Sequence, residues 1–410
     1  MTDCRNFYNL KNSFEDNVRL FNHLCDERRP QDAANLALEL MHASTAIFER
    51  VAAGYCLSRI GMFQEAEEVL DLAWSQLSLP EDGMMKVAGE RAYVKLKLGK
   101  IDEGAALEKL IYSRKHFKHS RELDGQDRET FGRIFREKIL EPDESVEAKR
   151  IFMLFHGGLG DAIEHVRHAE NLVTEGAAVV CVDPPLPLVE LLRNSRLPLT
   201  LMRSTAENFT WADSLALGNI LSLRYYSSAA VRAGYLKPVQ TKMRSFSISK
   251  PKRKRKIGIV WRSSNSSHAT CRHEPFRSME LTDLLPLFTQ HRTQFYSLQF
   301  GKLTTDERKL ISQYKIYDTS SYIHSLSDLA NVMRDLDLVI SIDSAPAHLA
   351  GALNVPVWNV LCRVADWRWG GQRYPGTPLY PSMRLFRQSG LGEWAPVVAE
   401  MASHINDIEY

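Results

Sequence analysis

The sequence predicts an α/β chain in which two parallel-sheet domains follow an all-helical amino-terminal region. Three observations carry this reading. The first ~120 residues show helical periodicity and no strand. Beyond residue 150, short apolar runs alternate with amphipathic helices, which is the pattern of βαβ units stacked into parallel sheets. The alternation is interrupted once, by "MRSFSISKPKRKRKIG", and restarts with a new strand at Ile257 to Trp261.

The bulk properties agree with several soluble domains. A length of 410 residues favours two or three domains over one. With 44% hydrophobic and 25% charged residues the chain has the composition of a globular protein. A net charge of +2 gives no reason to expect a nucleic-acid partner. No apolar run reaches the ~20 residues of a membrane span, so none is expected. The start, "MTDCRNFYNLKNSFEDN", lacks a secretory layout. Cysteines stand at positions 4, 25, 56, 181, 271 and 362 with no C-x-x-C pair, the usage of reduced, buried thiols in a cytoplasmic protein.

Within residues 1–120, three stretches resemble one another: "RRPQDAANLALELM", "GMFQEAEEVLDLAW" and "GKIDEGAALEKLI". Each opens with a turn and continues as an amphipathic helix. They recur about 33 to 38 residues apart, a spacing that suits helix-turn-helix repeats of the tetratricopeptide kind. An unrelated helical bundle is the other reading, and either is a packing or docking module open to a protein partner. The small residues Ala33, Ala66 and Ala105 would let neighbouring helices approach. Residues 121–150 are charged and read as a linker helix broken by Pro142.

Strands are expected in "RIFMLFHG", "AAVVCVD", "KIGIVWR", "TQFYSLQFG", "DLVISID" and "VPVWNVL". They divide into a first α/β domain over 151–250 and a second over 255–390, with a helix in 391–410. The basic run Lys252 to Lys256 abuts a strand directly, which favours a solvated interdomain crossing over a nuclear-localisation patch.

The first candidate site is "IFMLFHGGLGDAIEHVRHAENL". A buried strand ends in Gly157, Gly158 and Gly160, which let the backbone turn sharply. Asp161 then falls in the first turn of a helix with an apolar stripe of Ile163, Val166 and Val173. A strand-to-helix loop of a parallel sheet lies at the carboxyl edge, where ligands bind. Asp161 is therefore either a helix cap or a proton acceptor, and the spacing leaves both open.

The second is "DLDLVISIDSAPAHLAGALNVPVWNV". Leu338 to Ile342 form a strand. Asp343 and Ser344 start a helix that carries Pro346 in its first turn and ends at Asn354 and Pro356. Leu349 and Leu353 bury one face; Ser344 and His348 share another near the amino-terminal end, a seat for a sugar or a diphosphate. Between these sites, the loop after Trp261 brings Arg272, His273 and Arg277, suited to phosphate oxygens. Gln299 and Lys302 follow the next strand. His268, Cys271 and His273 lack a partner pair at ligand spacing, so no metal is expected.

Several segments in order, "GGLGDAIEHVRHAENLVTEGAAVVCVDPPLPLVELLR", "RSMELTDLLPLF", "DLDLVISIDSAPAHLAGALNVPVWNVL" and "ADWRWGGQRYPGTPLYPSMRLFRQ", carry a resemblance. Together they resemble the bacterial tetratricopeptide-repeat glycosyltransferases. Their catalytic half is similar to the heptosyltransferases of glycosyltransferase family nine and, more distantly, to O-linked N-acetylglucosamine transferases. The resemblance covers roughly residues 150 to 400.

The resemblance implies a GT-B fold, in which two Rossmann-like domains face across a cleft. It implies no cofactor, a nucleotide-diphosphate sugar as co-substrate, and a protein or glycan acceptor. Asp161 becomes the general base of an inverting, metal-independent transfer to a hydroxyl. Gly158, Gly160, Trp261, Arg277, Gln299, Asp343, Ser344 and His348 become donor contacts. Iron is not expected, because the cysteines of this region, Cys362 among them, are not clustered. His156, just before the glycines, stands where it could share the base role. A catalytically inactive repeat-based adaptor on the same scaffold is the alternative, and a sugar-nucleotide epimerase the third.

Overall fold

The computed structural model describes residues 13–76, 81–115, 128–155, 157–226, 232–239, 254–263, 274–370 and 376–405. Six helices come first: α1 (Phe14–Asp26), α2 (Pro30–Ala43), α3 (Ile47–Arg59), α4 (Phe63–Ser75), α5 (Glu81–Lys97) and α6 (Ile101–Ile111). They form three hairpins whose turns repeat. Arg28, Gly61 and Gly99 occupy equivalent positions with φ of 56°, 85° and 78°, the left-handed corner that closes each hairpin. Ala33 and Ala66 are fully buried in the second helices, as the spacing predicts. Ala105 is not. Its neighbour Gly104 takes the close contact, since a Cβ there would stand 2.6 Å from Leu96 Cγ.

After α7 (Arg128–Lys138) the chain enters two parallel sheets. The first contains β1 (Arg150–Leu154), β2 (Val179–Val182), β3 (Thr200–Leu201) and β4 (Ser214–Leu217), in the order β3-β2-β1-β4. The second contains β5 (Arg255–Val260), β6 (Thr293–Ser297), β7 (Tyr317–Asp318), β8 (Leu338–Ile342), β9 (Val357–Leu361) and β10 (Met383–Arg387). Its order is β10-β9-β8-β5-β6-β7 and all its pairings are parallel. Read from the other edge this is 3-2-1-4-5-6, the Rossmann order, and the first sheet is its 3-2-1-4 part. Two Rossmann-like units preceded by helical hairpins are the GT-B arrangement expected from the sequence. Strands β1, β8 and β9 are buried almost throughout and mostly apolar, with Ser341 and Asn359 as the buried polar exceptions, as a sheet covered on both faces requires. Strands β3, β4, β7 and β10 were not among those expected. The first and third are two residues long, and "SLAL" and "MRLFR" carry too little apolar length to stand out.

The helical hairpins are built onto the second sheet rather than tethered beside it. Phe63 and Val94 belong to the same buried cluster as Leu361, Cys362 and Val364. Lys97 Nζ donates to the Val364 carbonyl at 3.0 Å, and Arg28 pairs with Glu280 at 3.3 Å. Cys25, Cys56, Cys181 and Cys362 are free and buried; Cys4 and Cys271 lie outside the described residues. Arg255 and Lys256 open strand β5 and Lys254 before them is exposed, while Lys252 and Arg253 lie outside the described residues.

Candidate active site

Each sheet changes winding direction once, between β1 and β4 in the first and between β5 and β8 in the second. These are the switch points at which open parallel sheets hold ligands. The first candidate loop leaves β1 and the second leaves β8, so both stand where the topology opens a crevice.

On the first side the chain turns at Gly157, whose φ is 97° and where a Cβ would lie 2.3 Å from Asp161 Oδ2. Only glycine fits there. Helix α8 (Leu159–His165) follows, with Asp161 as its third residue. Asp161 Oδ2 accepts from the Gly158 amide at 2.7 Å, so the carboxylate does cap the helix. Its other oxygen, Oδ1, is ion-paired to Arg368 Nη2. Burial pushes the carboxyl pKa up, but Arg368, His165, the Gly158 amide and His348 together bring it down to about 2. His156 lies outside the described residues.

The predicted apolar stripe continues past α8 only in part. The helix breaks at Val166, and a second one, His168–Thr174, turns Ala169 and Leu172 inward and leaves Val173 39% exposed. The break makes room for a buried polar knot that the periodicity did not reveal. Glu164 is fully buried and meets Arg167 at 2.9 Å, the Ser222 hydroxyl at 2.7 Å and His168 at 3.3 Å. Burial raises its pKa, yet Arg167 and the two histidines hold it well below the carboxylate range. Arg167 also donates to the Leu379 carbonyl at 2.8 Å, tying the first unit to the second.

On the second side, Ser344 begins the helix Ala345–Ala352, with Pro346 in its first turn as expected. Asn354 ends it at φ 58°. Leu349 is fully buried, whereas Leu353 is only partly so. The Ser344 hydroxyl donates to the Ile342 carbonyl at 2.9 Å, and Asp343 is 6% exposed. His348 is buried, with Nδ1 2.8 Å from the Tyr380 hydroxyl and its ring 4.8 Å from that of Trp369. Burial lowers its pKa, which keeps the imidazole neutral.

The two corners meet. A Cβ on Gly160 would stand 2.8 Å from His348 Cδ2 and 3.6 Å from the Ala345 Cα. Asp161, Gly160, Ser344 and His348 therefore form one neighbourhood. Arg277 ends the short helix Glu274–Arg277 that follows β5, and its Nη2 donates to the Ser263 hydroxyl at 3.1 Å.

Three predicted donor contacts are engaged otherwise. Trp261 is fully buried and its indole N–H donates to Glu307 at 2.7 Å. Gln299 accepts from the Trp261 and Arg262 amides and donates to the Arg262 carbonyl at 2.8 Å, so its amide stitches the ends of β5 and β6 together. Gly158 offers its amide to Asp161. Side-chain type suggested ligand contacts at Trp261 and Gln299, but both turn into the protein because those strand ends need polar partners. Lys302 follows Gln299 in the loop, where its carbonyl lies 3.5 Å from Arg262 Nη2. Arg272, His268, Cys271 and His273 lie outside the described residues.

Arg368 is the side chain of this cluster that sequence reasoning missed. It sits in the turn Trp367–Trp369 after β9, capped by Asp366, whose Oδ1 also takes Arg368 Nε at 3.1 Å. Nη1 lies 3.3 Å from His165 Nε2 and 3.8 Å from Glu164. Burial opposes its charge, but Asp366, Asp161 and Glu164 keep its pKa well above the usual guanidinium value. The signal was "ADWRWGG", an arginine between two tryptophans with an acid beside it. Among the described residues, no group of three or more His, Cys, Asp or Glu is arranged to hold a metal ion. A crevice of about 630 Å³ also opens between the hairpins and the second unit, beside Arg28, Phe276, Arg363 and Trp394, and shares no residue with the Asp161 cluster.

Fold and site together define a chain of two Rossmann-like units, in which a carboxylate at the switch point of the first lies against a helix start at the switch point of the second. Residues 324–363, from His324 through β8 and β9 to Arg363, match the family model Glycosyltransferase family 9 (heptosyltransferase). Over 157 residues the chain is 27% identical to Protein FlbA of Caulobacter vibrioides. That stretch is 37% of this chain and 25% of FlbA, so the chain spans about a quarter of that relative's length. Solved structures similar to it include the glycosyl transferase family 9 protein of Veillonella parvula (12% identity, TM-score 0.39, 66% of this chain and 92% of that one). Another is the ADP-heptose LPS heptosyltransferase II of E. coli (12% identity, TM-score 0.39, 63% and 98%). A third, an O-GlcNAc transferase mutant of Thermobaculum terrenum, extends over the helical hairpins too (12% identity, TM-score 0.32, 97% and 92%). Among the described residues no helix is long and apolar enough to cross a membrane.

Proposed function

We propose that the chain transfers a sugar from a nucleotide-diphosphate donor to an acceptor hydroxyl, with inversion and without a metal. The observation that carries this reading is the meeting of Asp161 with the helix Ala345–Ala352 at two facing switch points. In this reading Asp161 Oδ1 takes the proton of the acceptor hydroxyl as its oxygen bonds the anomeric carbon. The bond from that carbon to the diphosphate breaks, and its electron pair leaves on the phosphate oxygen. Ser344, His348 and the start of their helix would seat the diphosphate, with Arg277 at its edge. The acceptor would be a protein or a glycan, and a protein partner could dock through the hairpins. A reducing, cytoplasmic setting fits the four buried free thiols.

One observation favours the alternative, an inactive adaptor on the same scaffold. The Arg368 pair holds Asp161 at about 2, which makes it a weak proton acceptor as it stands. Thermal shift against ADP, UDP, GDP and CDP, followed by mass spectrometry of candidate acceptors with matched nucleotide sugars, separates the two. Stabilisation by a diphosphate and a glycosylated product support transfer; no shift with any of the four leaves the adaptor.

A further inference from the structure

Resting on the transfer reading above, we propose that Arg368 exchanges partners during the reaction. It neutralises Asp161 in the free protein and moves to the donor's diphosphate when donor binds, so that the base is released only in the donor complex.

The geometry has the parts such an exchange needs. Arg368 belongs to the donor-side unit, yet its guanidinium crosses to the acceptor-side carboxylate. Asp366 holds Nε and caps the turn, which fixes the root of the side chain and leaves the two terminal nitrogens to choose partners. Asp161 remains oriented without Arg368, because Oδ2 stays on the Gly158 amide. The seat is adjacent: the ring of Trp369, next in the chain, stands 4.8 Å from the His348 ring, and a Cβ on Gly160 would come within 2.8 Å of His348 Cδ2.

The competition favours the ligand. A diphosphate carries more charge than one carboxylate and accepts the planar fork through two oxygens. Once Arg368 has turned, Asp161 loses the positive charge that suppresses its basicity. The guanidinium then lies where negative charge grows as the sugar–phosphate bond breaks. Charge is conserved through the step: the proton goes to Asp161, the electron pair to the diphosphate, and Arg368 neutralises the latter. Acceptor-first encounters are discouraged, because no free base exists before the donor arrives.

The test is a double-mutant cycle on binding, which needs no turnover. ADP, UDP and GDP are titrated calorimetrically into the full chain and into Asp161→Asn, Arg368→Met and the double variant. Exchange predicts that Asp161→Asn tightens the preferred diphosphate by ~10-fold, since the guanidinium is no longer held elsewhere, and that Arg368→Met weakens it by ~10-fold. In the Arg368→Met background, Asp161→Asn should then change affinity by less than ~2-fold. Equal tightening in both backgrounds would mean simple repulsion between Asp161 and the ligand, and would overturn the exchange. Unchanged affinity in Arg368→Met would overturn it as well. Arg368→Lys, which keeps the charge and loses the fork, should fall between, and it replaces Arg368→Met in the cycle should that variant fail to melt cooperatively. If no diphosphate binds the unmodified chain, the transfer reading falls together with the exchange.

Discussion

Gly160 lies so close to the ring of His348 that the first carbon of any side chain would stand 2.8 Å from Cδ2. The two residues belong to different Rossmann-like units, and this is where helix α8 of the first meets the helix Ala345–Ala352 of the second. The ring has little freedom to give way, held as it is by the Tyr380 hydroxyl and by Trp369.

Gly160→Ala should therefore separate the units rather than unfold either one. Overpacking of this kind costs ~1–3 kcal/mol. A displacement of Asp161 by ~1 Å is enough to cost ~100-fold in rate. We expect a small drop in melting temperature beside a large drop in kcat, read by calorimetry and by product formation. Unchanged kcat would show that the contact has no bearing on the chemistry.

Asp161→Asn should lower transfer by ~10²- to 10⁴-fold although it binds the diphosphate no less tightly. The same change has a stability signature. The carboxyl is held at about 2 against an ordinary 3.8, so its contribution is present above pH 3.8 and is lost as pH falls through 2. That contribution amounts to ~2 kcal/mol. Unfolding midpoints of the two proteins should differ at pH 5 and converge near pH 2. A constant difference across that range would place the stabilisation elsewhere.

What could be read from the sequence, and what could not, divides along contact distance. Six strands, the repeated hairpin turns, the glycine-lined corner before Asp161 and the start of the Ser344 helix are local. Each is written in periodicity or in backbone freedom within a dozen residues. Arg368 lies 207 positions from Asp161, and no spacing rule joins them. Glu164 reads as one acid on an amphipathic helix, yet it is the fully buried centre of a polar knot, because the helix breaks two residues later. The inward bonds of Trp261 to Glu307 and of Gln299 to the Arg262 carbonyl are likewise contacts across 46 and 37 positions, which no local pattern shows.

That buried knot should set the acid limit of the fold. Burial holds His165 down to about 4 from an ordinary 6.5, against the pull of Glu164, and lowers His168 and His348 in the same direction. Between pH 6.5 and 4 the unfolded chain binds protons that the native one refuses, so stability falls with falling pH. His165 alone contributes on the order of 3 kcal/mol, present above pH 6.5 and lost as pH falls to 4. Glu164→Gln removes the carboxylate but not the cations around it. It should cost ~3–5 kcal/mol near neutral pH, the usual penalty for stranding buried charge. Denaturant titrations at pH 7.5, 6 and 5 check both statements. A midpoint flat across that range would show that these imidazoles are not withheld from water.

The helical hairpins should prove inseparable from the second Rossmann-like unit. Phe63 and Val94 share a buried cluster with Cys362 and Val364, and Lys97 holds the Val364 carbonyl two residues before Asp366. Helix α5 also packs on the turn that carries Arg368. Deleting residues 1–115 would therefore uncover apolar surface on the second unit and release the very loop that positions the guanidinium. The full chain should melt in one calorimetric transition that includes the hairpins, and the truncated chain should aggregate on size-exclusion chromatography. A truncated chain that stays monomeric, melts cooperatively and binds a diphosphate as tightly as the whole would show that the hairpins are an independent docking arm.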